Sequence, residues 1–175
     1  MQMQTTTPRL SKVSQKTVTQ TVDVSSWVGD HEIVLDQEGQ EVKITGRWKL
    51  DSRSPTENNN TTRLALRIVH KAPNTTATTT LKGVVGEQNQ LEIHGTIVVE
   101  KQAKNTQSFL NLRVMLLDSS SHAEVVPNLE IMTDEVKCSH AATIAPPPWE
   151  QIWYLQSRGL SLKTAQELIQ TAFLA

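Results

Sequence analysis

The single thiol of the chain lies in the run Cys138-Ser139-His140. In an extended strand successive side chains point to opposite faces, so Cys138 and His140 share one face. A thiolate and a neutral imidazole on one face can share a soft metal such as iron or zinc. They can also act as nucleophile and base, or stand as a buried structural cysteine beside a hydrogen-bonded histidine. Two ligands do not close a metal site, so a metal there needs further ligands from the chain or from a partner. His31, His70, His94 and His122 show no mutual ligand spacing. For each of them the expectation is a solvated or locally bonded ring. Asp134-Glu135 is an adjacent acidic pair, but neighbours in a strand face opposite ways and make a poor acid/base couple. There is no P-loop, GxGxxG, HExxH or GxSxG motif. The expectation is that the chain is not an enzyme.

A second concentration of chemistry lies near the C-terminus. Trp149, Trp153, Tyr154 and Phe173 are four of the chain's aromatic residues, and Arg158 sits among them. Aromatics and arginine dominate interface hot spots, so this cluster either caps the preceding strands or forms a docking surface.

The elements that must position these residues change character at one point. From Lys16 to about Ile144 the chain alternates short β-rich runs with Gly, Asn, Asp, Pro and Ser clusters. The runs are Thr17–Val24, Glu32–Leu35, Glu41–Leu50, Leu64–His70, Thr79–Val85, Gln90–Glu100, Ser108–Leu117, Leu129–Met132 and Glu135–Ile144. Turns fall at Asp36–Gly39, Ser52–Asn60, Ala72–Asn74, Gly86–Asn89 and Asp118–Ser121. Two similarities suggest repeats. The segment from Gln40 resembles that from Asn89, and the segment from Lys71 resembles that from Gln102. The second pair aligns Leu81 with Leu112 and Val85 with Leu116. A parallel solenoid and an antiparallel sandwich of look-alike strands both accommodate such repeats. The lack of Asn-Gly and Asp-Gly hairpin turns favours the solenoid.

After Ile144, Ala145-Pro146-Pro147-Pro148 cannot continue a ladder, because proline lacks the N–H donor. Trp149–Ser157 then reads as a short helix, with Gly159 as its stop and Ser161 as the cap of a second helix. On that second helix Leu162, Ala165, Leu168, Ile169, Ala172 and Phe173 form one apolar stripe. The expected organisation is a loose N-terminus over 1–15, a strand core over 16–145 and a helical subdomain over 146–175.

Composition agrees with this layout. Twenty-one of 175 residues are Thr and only 4% are aromatic, so strands dominate and the core is built from Val, Ile and Leu. A net charge of -1 argues against a nucleic-acid partner. One cysteine excludes an intramolecular disulfide framework. No run is apolar and long enough for a membrane span, and the first residues carry no apolar signal core. The expected location is the cytoplasm.

PNLEIMTDEVKCSHAATI and YLQSRGLSLKTAQELIQTAFL resemble the C-terminal portion of the SufB/SufD family, scaffold proteins of the SUF iron–sulfur cluster assembly system. The matching residues are Pro127, Leu129-Glu130-Ile131, Asp134, Cys138-Ser139-His140, Ala142-Thr143, Tyr154-Leu155, Ser157-Arg158-Gly159 and Ala172-Phe173. The Cys-Ser-His form is similar to SufD more than to SufB. Upstream, His70, Ala72-Pro73, Thr75, Lys82-Gly83 and Gly95 to Val99 also match. The pattern departs at Ala141 and Ala172, where the family has Gly, and at the Pro146–Pro148 run, where it has a Gly and acidic linker. The chain is also less than half the usual length of the family, without its N-terminal helical region and with part of its β-helix.

The resemblance implies a mainly β fold, a right-handed parallel β-helix followed by a small C-terminal α-helical subdomain. It implies a non-enzymatic SufD-like scaffold working with a SufC-type ABC ATPase, which docks on the C-terminal helices. The residues this assigns to docking are Trp153, Tyr154, Leu155, Arg158, Leu168 and Phe173. It implies a second β-helix subunit, either a copy of this chain or a SufB-like protein, paired near the C-terminal end. Cys138 and His140 would then serve a transient iron–sulfur cluster at that interface, with none bound stably. The competing expectation is a structural β-solenoid module that kept the fold and lost the cluster site.

Overall fold

The computed structural model describes residues 19–51 and 60–175. The expectations for residues 1–15, for the start of the first run at Thr17 and for Ser52–Asn60 short of its last residue lie outside the described residues. Nine strands are described: β1 (Gln20–Asp23), β2 (Gly29–Leu35), β3 (Glu41–Leu50), β4 (Thr61–His70), β5 (Thr76–Val85), β6 (Gln90–Val99), β7 (Thr106–Leu116), β8 (His122–Ile131) and β9 (Val136–Ala145). Two helices follow, α1 (Trp149–Ser157) and α2 (Leu162–Leu174).

Odd-numbered strands form one sheet in the order β1-β3-β5-β7-β9, and even-numbered strands form the other in the order β2-β4-β6-β8. Every pairing is parallel. The chain therefore winds as a parallel β-solenoid: four coils, each giving one strand to each sheet, and the first strand of a fifth. This excludes the antiparallel sandwich. Alternate residues face inward and fill the space between the sheets. Ile44, Leu64, Leu81, Ile93, Ile97 and Leu112 are completely buried there, which is how an aromatic-poor chain makes a core.

The repeat from Lys71 and Gln102 is a true coil repeat. Leu81 pairs with Leu112 and Val85 with Leu116 in the β5–β7 register. The similarity between Gln40 and Asn89 is not, because these segments form β3 and β6 on opposite sheets. Their shared glycines answer to different neighbours. A Cβ on Gly46 would sit 2.5 Å from the Trp48 ring, and one on Gly95 would sit 2.8 Å from Leu110.

One corner of the solenoid repeats from coil to coil. Gly39, Asn74 and Asn105 all adopt left-handed backbone, with φ of 72°, 59° and 57°. Gly and Asn are the residues that tolerate this region. Each donates its N–H to the next coil: Gly39 to the Pro73 carbonyl at 3.2 Å, Asn74 to Lys104 at 2.8 Å and Asn105 to Glu135 at 2.7 Å. Inside the same corner the buried hydroxyls of Thr75 and Thr106 stack at 3.2 Å.

The run expected at Leu129–Met132 is the second half of a longer strand. Pro127 breaks its pattern in the sequence, yet β8 is an edge strand, where proline is tolerated. The helix pair forms where expected. Ser161 Oγ accepts the Thr164 N–H at 3.2 Å as the α2 cap, and Gly159 at φ 93° turns the chain between the helices. α2 packs beside α1 and over β5. The helices thus lie on the flank of the solenoid, against the outer face of the odd-numbered sheet. Trp149, at the start of α1, lines a cleft with Leu116, Leu117, Ile144 and Ala145 at the ends of β7 and β9, while α2 runs along the flank.

Candidate functional site

β9 is the edge of its sheet, paired on one side with β7. Val136, Cys138, His140, Ala142 and Ile144 alternate along its inward row. In earlier coils the equivalent row is buried. Here Val136 and Cys138 are half-buried, and His140, Ala142 and Ile144 are exposed, because no further coil closes over them among the described residues. On β8, Val125, Pro127 and Leu129 are likewise half-buried, and Ile131 is 40% exposed. The solenoid ends in an open, largely apolar mouth with an unpaired strand edge.

Cys138 and His140 share one face of this strand, two residues apart. Burial pushes the Cys138 thiol above its ordinary value, and a hydrogen bond with the Ser108 backbone acts in the opposite direction. The thiol is therefore mainly protonated in the isolated chain, the opposite of an activated thiolate. Among the described residues no group of three His, Cys, Asp or Glu side chains could hold a metal ion. Any cation or cluster that these two residues contact needs further donors from beyond the described residues or from a partner.

Behind Cys138 lies a polar thread that sequence reasoning missed. Ser108 is the register partner of Cys138. The Ser108 hydroxyl meets His70 Nε2 at 3.0 Å, and His70 Nδ1 meets the Thr75 hydroxyl at 2.8 Å. His70, Thr75, Thr106 and Ser108 are all fully buried. Burial lowers the His70 pKa to about 4, so the ring is neutral. Local bonding to Thr75 agrees with the sequence expectation for this histidine; its contact with Ser108 crosses coils and left no signal in the spacing. The other histidines have ordinary roles. His94 pairs with Glu124 at 3.0 Å, and His31 stacks on Trp27 and reaches the Val28 carbonyl.

The expected docking residues divide between two environments. Trp153 and Tyr154 are 64% and 59% exposed on α1, and Leu168 is 48% exposed on α2. Arg158 is also exposed, with its guanidinium over the Tyr154 ring at 5.2 Å. Leu155 and Phe173 are half-buried, and Phe173 lies over the Arg113 guanidinium at 5.2 Å. The single apolar stripe expected on α2 is corrected. On α2, Ala165 and Gln170 are buried, Ile169 and Phe173 are half-buried, and Leu162, Leu168 and Ala172 are exposed, with Ile169, Ala172 and Phe173 lining the cleft over the sheet. The reason is the surface beneath, which presents Arg47, Lys82 and Arg113 in register and does not demand an apolar partner along its length. Arg47 donates to the carbonyl of Leu174 at 2.6 Å and fixes the end of α2 against the sheet. No helix among the described residues is long and apolar enough to cross a membrane.

Comparison with known proteins gives a consistent result. Residues 9–173 match the family described as SUF system FeS cluster assembly, SufBD core domain. An iron–sulfur cluster assembly SufBD family protein of Staphylococcus saprophyticus is 30% identical over 108 residues, which is 62% of this chain and 23% of that protein. SufBD family proteins of Staphylococcus aureus match at the same identity and coverage. The matched stretch thus spans about a quarter of the relatives' length.

Proposed function

The chain belongs to the SufBD core domain family, and from that premise we propose that it is a non-enzymatic scaffold on which an iron–sulfur cluster is assembled at a subunit interface. The observation that carries this reading is the state of β9. Among the described residues it is an unpaired edge bearing Cys138 and His140 in an open apolar mouth, with no group of three metal-ligating side chains. An edge strand recruits another strand. β8 is guarded against this by Pro127 and by Glu124 and Glu130, whereas β9 from Cys138 to Ala145 carries no proline and no carboxylate. A second solenoid, a copy of this chain or a SufB-like subunit, pairs along β9 and brings the missing ligands. The cluster is the cargo of this interface and passes through it.

The helices supply the other half of the proposal. Trp153, Tyr154, Arg158 and Leu168 are exposed on the two helices. A SufC-like ATPase docks on these residues. Leu155 and Phe173 support this surface from beneath.

The test is anaerobic reconstitution with iron and sulfide in the presence of a SufC-like ATPase, followed by absorption spectroscopy. Cys138→Ser and His140→Ala are expected to keep the fold and the ATPase contact and to lose most of the cluster, since a site short of one ligand usually loses its metal. Equal cluster content in wild type and both variants removes these residues from the mechanism.

The raised thiol of Cys138 favours a second reading. A half-buried, protonated cysteine against Ser108 suits a structural β-solenoid module that kept the fold and lost the cluster site. Under that reading reconstitution yields no cluster with any partner, while the pairing along β9 persists.

A further inference from the structure

We propose that the cleft between the outer face of the odd-numbered sheet and the two helices binds a small phosphorylated compound with a compact apolar body. The proposal does not depend on cluster assembly or on the ATPase.

The cleft has a volume of about 460 Å³, within the range of small-molecule sites. Its floor carries Lys82 and Arg113, which are register partners on the adjacent strands β5 and β7. Adjacent strands are about 4.8 Å apart, so the two positive groups rise side by side. Among the described residues neither is in an ion pair, and no carboxylate is among the residues that wall the cleft. Partial burial and the neighbouring charges of Arg113 and Arg47 together push the Lys82 pKa down. Positive charge is thus concentrated in a recess with no carboxylate among its walls, a situation that an anion relieves.

The chemistry of the walls narrows the ligand. Two cations match a phosphate dianion better than a single carboxylate, and Arg113 offers a planar fork held under the Phe173 ring. Thr143 continues the same row on β9, and Gln151 lines the cleft from α1. The remaining surface is apolar, from Pro148, Ile169 and Phe173. Such a site takes a phosphate at the floor and an uncharged, compact group against the helices.

Phenyl phosphate is the probe, with inorganic phosphate and phenol as its two halves, titrated into the full chain without any partner protein. Amide chemical shifts around Thr143 and Gln151 report the site. Expected is saturable binding of phenyl phosphate in the millimolar range or tighter, at least tenfold stronger than either half, falling at least tenfold in Lys82→Gln and in Arg113→Met. Lys82→Gln is the safer variant, since Arg113 also packs on Phe173. Affinity unchanged in Lys82→Gln, equal affinity for phenyl and inorganic phosphate, or no saturation by about 10 mM overturns the proposal.

Discussion

His70 and Ser108 are 38 residues apart in the chain and meet inside the solenoid, ring Nε2 to hydroxyl at 3.0 Å. The contact joins the end of β4 to the start of β7 through a ring that burial keeps neutral. The His70 pKa of about 4 lies below the ordinary 6.5. Stability from this neutral ring is therefore whole above pH 6.5 and is lost as pH falls from there through about 4. At pH 5 the unfolded chain's greater proton uptake removes about 2 kcal/mol. Urea unfolding of wild type at pH 7 and pH 5 measures the loss. In His70→Asn the difference between the two pH values shrinks by about that amount. An equal acid effect in both proteins would remove His70 as its source.

Gly46 gives the Trp48 ring its place in the core. A Cβ there meets the ring at 2.5 Å and Val24 at 2.8 Å. Gly46→Ala overpacks the first coils and costs about 1–3 kcal/mol, read as a lower denaturation midpoint with an unchanged slope. A midpoint equal to wild type would mean that the ring moves freely.

The unguarded edge of β9 yields a prediction about assembly. Light scattering of the isolated chain is expected to give a dimer, twice the 19.5 kDa of the monomer. Ala142→Lys places a charge in the open mouth and is expected to give monomers with unchanged circular dichroism. A wild-type monomer across micromolar concentrations would mean that the strand partner is a different protein, and pairing would then be sought with that protein.

On the flank, Trp153→Asp and Tyr154→Asp change exposed side chains and leave the solenoid intact. Each is expected to abolish co-purification with a SufC-like ATPase, because a buried anchor contributes about 2 kcal/mol or more to binding. Phe173 is a poor probe of the same surface, since it packs on Arg113 and its loss disturbs the helix seat. Undiminished co-purification of both variants would show that these helices serve the solenoid alone.

Strand positions were legible because each buries one face and exposes the other, which imprints alternation on the sequence. The register of β5 on β7 was legible for a different reason. The Asn-Thr corner recurs at Asn74-Thr75 and Asn105-Thr106, and a left-handed turn with a buried hydroxyl demands those residue types. The β3–β6 likeness misled because a glycine beneath a large side chain arises in either sheet. Cys138 and His140 could be placed on one face from alternation alone. Their position in an open mouth could not, since burial depends on whether another coil follows. The Lys82–Arg113 pair follows from the alignment that matches Leu81 with Leu112, but the cleft above it depends on where the helices pack, which no spacing records.

The corner at Asn74-Thr75 and Asn105-Thr106 makes length a discrete variable. The two threonines are 31 residues apart and occupy the same site on successive coils. Removing residues 76–106 would join Thr75 to Gln107, restoring the Thr106–Gln107 junction in sequence context and stacking β7 on β3 and β8 on β4. The mouth with Cys138 and His140 would be unchanged. Solenoids of this design can therefore differ in reach by whole coils, as a ruler differs by whole divisions, while the terminal face stays the same.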